Sequence, residues 1–82
     1  MMTKTYRNTE TIQAEQFDGS EEMVTKYDLI KVPWYDEFFV ETLLGYMQVS
    51  VGDWLATGAD GEHWVIDDTI FRKTYEEVSD DE

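Results

Sequence analysis

The stretch 46–75, YMQVSVGDWLATGADGEHWVIDDTIFRKTY, decides the fold of this chain. Met47, Val49 and Val51 recur at every second position with Gln48 and Ser50 between them, the pattern of a strand with one buried face. Gly52 and Asp53 punctuate that run. The segments 54–57 (WLAT) and 63–66 (HWVI) then flank Gly58, Ala59, Asp60 and Gly61, which predicts two antiparallel strands joined by a glycine-containing hairpin. With a tryptophan on each strand, Trp54 or Trp64 is expected to be largely buried. After Ile66, the run Asp67, Asp68 and Thr69 offers a cap for a single helical turn through Phe71, with the chain extending again through Lys73, Tyr75 and Glu77.

Upstream of this stretch, residues 1–9 read as a loose polar start, and 11–17 as an edge-like strand with Ile12, Ala14 and Gln16 on one face and Gln13, Glu15 and Phe17 on the other. Asp18 and Gly19 break it. Ser20 followed by Glu21 and Glu22 is a helix start, a hydroxyl cap with carboxylates at the positive end of the helix dipole, so a short helix is expected within 20–28. Residues 29–33 read as a brief extended segment before Pro33, the only proline. Trp34 is expected in the core, and 38–44 as a strand ending in a turn or bulge at Gly45. The expected architecture is α+β, a small bent antiparallel sheet or partly closed barrel with one short helix, in a single domain spanning 1–82 whose acidic tail, 79–82, is frayed.

Eighty-two residues make a small core, and twelve aromatics, three Trp, five Tyr and four Phe, must fill it. Without cysteine there are neither disulfides nor thiolate metal ligands, which suits a reducing cytoplasm. Neither end carries a signal-like segment, and no apolar run approaches the roughly 20 residues that span a bilayer. Nineteen acidic residues against six basic ones leave a net charge of −13. A field of that sign repels nucleic acid and anionic lipid and attracts a basic partner.

Further residues carry a resemblance. Glu41, Thr42 and Leu43 leading to Gly45, then VGDWL at 51–55, Gly58, Gly61 and Glu62, and finally DTIF at 68–71 with KTYE at 73–76, resemble a family of small phage and prophage proteins of unknown function. The run TIQAEQF at 11–17 is similar to that family's first strand. Val51 stands where the family usually has proline, and Ile66 with Asp67 replaces a Cys-Lys-Pro type of segment. The resemblance implies a phage origin, and with it a location in the host cell cytoplasm. It implies no activity and no site residue.

Chemistry has little footing here. His63, the only histidine, lies mid-strand between Glu62 and Trp64, the setting of a structural or surface residue rather than a general base, so no enzymatic turnover is expected. The aspartates do not have the spacing of a calcium loop, and no glycine-rich loop precedes a helix to cradle phosphate, so neither metal nor cofactor is expected. The function that the composition and the resemblance favour is a phage inhibitor that binds a host protein with a basic, nucleic-acid-binding surface. It would act as a DNA mimic, with a CRISPR effector, or a DNA repair or modification enzyme such as uracil-DNA glycosylase, as the two target classes. Duplex DNA carries a charge per about 1.7 Å of axis, while carboxylates two apart on a strand sit about 6.6 Å apart, so rows of them can fill a groove built for phosphates. The candidate residues are Glu41, Asp53, Asp60, Glu62, Asp67, Asp68, Glu76 and Glu77, with Tyr35 as an apolar anchor. The alternatives are a protein that sequesters a small molecule or signalling nucleotide, and a phage accessory protein whose acidity only keeps it soluble.

Overall fold

The computed structural model describes residues 12–76. The elements in chain order are β1 (Gln13–Gln16), α1 (Glu21–Lys26), β2 (Ile30–Val32), β3 (Glu37–Thr42), β4 (Gly45–Val49), β5 (Trp54–Thr57), β6 (His63–Ile66) and α2 (Asp68–Thr74). The strands divide equally between two antiparallel sheets of order β1-β5-β6 and β2-β3-β4. This is the expected α+β fold, its strands shared between two small sheets. The expectations for residues 1–9, for Glu77 and for the tail at 79–82 fall outside the described residues.

The β5–β6 hairpin forms as read, with Trp54 opposite Ile66 and Thr57 opposite His63. Gly58 N–H donates to Glu62 O at 2.9 Å and closes the loop, and Gly61 takes φ +82°, where a side chain would be strained. β1 adds to the other side of β5 as an edge strand, Gln13 opposite Thr57 and Gln16 opposite Trp54. Beyond Gln16 the pairing continues through Phe17 N–H to Asp53 O at 2.8 Å and Gly52 N–H to Phe17 O at 2.9 Å. Those two bonds carry Phe17 into the space between the sheets.

Phe17, Val40, Val49 and Leu55 are the most deeply buried large side chains, joined by Met23, Tyr27, Leu29 and Phe38. Phe17 meets Phe38 edge to face, centroids 5.0 Å apart, and so ties β1 to β3 across the two sheets. Burial of an aliphatic or aromatic side chain of this size contributes about 1.5–3 kcal/mol.

α1 closes one side of this core. Ser20 Oγ accepts from Met23 N–H at 3.2 Å, Glu21 and Glu22 occupy the first turn, and Met23 and Tyr27 turn inward. The helix ends in a complete Schellman motif: Leu29 N–H donates to Val24 O, and Asp28 N–H to Thr25 O. The left-handed position of that motif, φ 54°, is filled by Asp28 where glycine is usual.

Several local expectations do not survive. Val49 alone of the alternating trio is buried; Met47 is 39 % and Val51 67 % exposed, because β4 is an edge strand that outruns the core at one end and stops before Val51 at the other. Trp34 is 85 % exposed rather than in the core, since it belongs to the turn between β2 and β3, whose side chains project outward. Trp54 and Trp64 are each only partly buried. They share the face of their sheet opposite to Leu55, and α2 covers that face at the Trp54 end through a Trp54–Phe71 stack of 3.9 Å. α2 also runs on to Thr74 instead of extending at Lys73, held by the Asp67 cap, which accepts from Thr69 and Ile70 N–H, and by the Asp68–Arg72 ion pair.

Candidate partner-binding surface

The acidic candidates lie in separate places. Asp60 and Glu62 sit in the β5–β6 loop, whereas Asp53, Asp67 and Asp68 sit at the far end of those strands, a strand length of about 13 Å away. Those at the far end are committed to local structure. Asp53 Oδ2 accepts from Ser50 N–H at 2.9 Å, and Asp67 caps α2. Asp68 Oδ1 accepts from Trp54 Nε1 at 2.8 Å and from Arg72 Nε at 2.9 Å, and these two bonds, the indole's first, hold its carboxyl below the usual aspartate range. Glu76 is exposed just past α2, and Glu77 lies outside the described residues. Tyr35 is 65 % exposed beside Trp34, at the end of β3 away from Glu41. Among the described residues no single row of carboxylates on one face is formed.

Glu41 has a different setting. It lies on the outward face of β3, with Tyr46 opposite it on β4, and the register of β2 on β3 continued past Ile30 brings Asp28 to its other side. The three residues border an open cleft of about 280 Å³, which Tyr27, Leu29, Ile30, Lys26 and His63 complete. Aromatic faces and two carboxylates in one concavity suit a cationic side chain: the rings offer their negative faces, the carboxylates charge-assisted acceptors. Lys26 also lines the cleft, but its charge is paired with Glu15 and its ammonium stands over the Tyr27 ring, 5.6 Å from the centroid, which leaves Tyr46 as the open ring. Tyr27 donates to the same Glu15 oxygen at 2.6 Å. Those bonds, from Lys26 first and then Tyr27, hold the Glu15 carboxyl below its ordinary range, while burial and then the Glu15 interaction push the Tyr27 phenol up.

His63 is occupied in the wall of this cleft. Its Nδ1 is 2.9 Å from Thr57 Oγ1, and its ring stands edge-on to Tyr27 at 5.2 Å. Among the described residues no three His, Asp or Glu side chains gather as a metal site, and no helix is long and apolar enough to cross a membrane. Residue-by-residue reading named Glu41 but missed Asp28 and Tyr46. A signal was present: pairing the extended segments on either side of Pro33 and counting outward from the turn sets Asp28 against Glu41. Compared with known proteins, the chain matches no family model, no curated protein and no solved structure.

Proposed function

We propose that this chain is a phage-encoded acidic inhibitor that works in the host cytoplasm by occupying the basic, nucleic-acid-binding surface of a host protein, a CRISPR effector or a DNA glycosylase being the target classes. The observation that carries this reading is the cleft at Asp28, Glu41 and Tyr46, which offers a lysine or arginine of such a surface two carboxylates and an aromatic wall. The net charge of −13 supplies long-range attraction to the same partner, and two of the six basic residues, Lys26 and Arg72, are already paired with carboxylates. The phage origin rests on the sequence resemblance alone. Because the carboxylates among the described residues form no single row, the inhibition proposed here depends on a field and an anchored cation rather than on a copy of the phosphate spacing. An anionic nucleotide suits the cleft poorly, since its walls carry Asp28 and Glu41 while the lysine that lines it, Lys26, is already paired with Glu15.

The test is capture from host lysate at low salt and at about 0.5 M salt, followed by competition with duplex DNA. A basic partner released by salt, displaced by DNA and lost with an Asp28→Asn, Glu41→Gln variant is the expected result. Capture of a partner that still binds DNA in the complex, or that the double variant holds equally well, overturns it. A small molecule retained in place of a protein would favour sequestration.

A further inference from the structure

Between residues 43 and 52 the chain reads LLGYMQVSVG, ten positions without a charge in a protein of which 30 % is charged. The segment is not buried. Leu44 is fully exposed, Leu43 82 % and Val51 67 %, and Tyr46 and Met47 also face water. Its central strand, β4, is bonded to β3 alone, so among the described residues its other edge offers free N–H and C=O groups. Edge strands are ordinarily guarded by lysine, proline, an inward charge or extreme shortness. β2, the opposite edge, has such guards: it is three residues long, contains Lys31 and is followed by Pro33. β4 has none of them.

Charge decides what fits this edge. A basic partner would be drawn to carboxylates, and 43–52 has none to offer. A second copy has the opposite requirement, because an isologous contact brings the same patch of both subunits together, so that a patch rich in carboxylates meets one equally rich. A chain at −13 can therefore meet itself closely only over an uncharged surface, and this segment provides one along an open strand edge. We propose that β4 pairs antiparallel with β4 of a second copy about a two-fold axis near Met47, joining two three-stranded sheets into one. That register sets Tyr46 against Gln48 of the second copy and brings the tip formed by Leu43 and Leu44 to its Val51 turn. The dimer shares Tyr46 and the net charge with the inhibitor reading, but the open strand edge and the uncharged run that carry it are separate observations.

Salt separates the two experimentally. Screening weakens attachment to a basic partner, whereas it relieves the repulsion between two copies at −13 and tightens the dimer. Sedimentation equilibrium of the full chain, at low salt and at about 0.5 M salt, is the measurement. The expected result is a monomer–dimer equilibrium that moves toward dimer as salt rises. Gln48→Asp on β4, which sets the two introduced carboxylates diagonally across the axis, and Leu44→Asp, at a side chain that is fully exposed and so expendable for folding, which puts a carboxylate in place of the apolar contact with the Val51 turn, should each weaken association by more than about tenfold. Ile70→Asp on α2, an exposed apolar residue outside the segment, should leave it unchanged. A single-chain mass at every concentration in both salts overturns the proposal, as does a dimer that salt weakens or that Ile70→Asp disrupts as much as Leu44→Asp does.

Discussion

Trp54 gives its indole N–H to Asp68, 14 residues further along the chain, at 2.8 Å, and the bond pins the first turn of α2 to the sheet while the indole lies nearly parallel to Phe71. Trp54→Ala removes the stack and the donor together. Because the ring is partly exposed, the expected loss is about 2–3 kcal/mol, below that of a fully buried tryptophan. Asp68→Asn, which keeps the shape but weakens the acceptor, should lower the melting temperature and shift Trp54 fluorescence. Chemical denaturation followed by fluorescence and by far-UV circular dichroism checks both.

Phe17 is the side chain on which both sheets depend. Phe17→Ala should cost about 3–5 kcal/mol, a large part of the stability of so small a domain. Phe17→Leu, retaining most of the apolar volume, should remain folded with a lower midpoint in urea. An alanine variant as stable as the parent would mean that the Phe17–Phe38 contact does not join the sheets.

Asp28 occupies a left-handed backbone position at the end of α1 that glycine adopts without steric penalty. Asp28→Gly should therefore stabilise the fold by about 0.5–1 kcal/mol. The same change removes a carboxylate from the cleft and should weaken capture of the basic partner. Stability and binding moving in opposite directions in one variant is the outcome to look for.

Two pH limits follow from Glu15 and Tyr27. The Glu15 carboxyl lies below its ordinary 4.5 in the folded chain, so its contribution is present above that value and is lost as pH falls further. Asp18, lowered by hydrogen bonds from Ser20, and Asp68 act in the same direction from 3.8. Tyr27 is raised from 10.0, so its contribution is complete below pH 10 and is lost as pH climbs above it. Urea midpoints measured across both limits should fall at each end, and Tyr27→Phe should abolish most of the alkaline decline.

Local chemistry made much of the fold legible. The Ser20 cap, the glycine loop between β5 and β6 and the Asp67 cap are each written in a few adjacent residues whose backbone needs are specific. What could not be read locally was coverage. The alternation of Met47, Val49 and Val51 identifies sides of a strand, but burial depends on which strand or sheet lies opposite, and β4 has the core beneath Val49 alone. Trp34 lies outside the core for the same reason: its hydrophobicity argues for burial, and the turn geometry after Pro33 prevails. The cleft was the least legible part, because Glu41 meets Asp28 only through the register of two strands and Tyr46 only through a second pairing.

α2 contributes no fully buried residue and is held by one end cap, one ring stack continued from Phe71 to Tyr75, and the bonds that Trp54 and, at 3.4 Å, Gln16 donate to Asp68. Such an attachment can let go while the two sheets remain intact, so α2 forms a separate opening unit. Its amide hydrogens should exchange with solvent well before those of β3 and β5, and each opening should uncover the Trp54 and Ile66 face beneath it. A protease that cleaves after Arg72 or Lys73 would then cut the native protein at a rate set by that opening, leaving the sheets folded behind the cut.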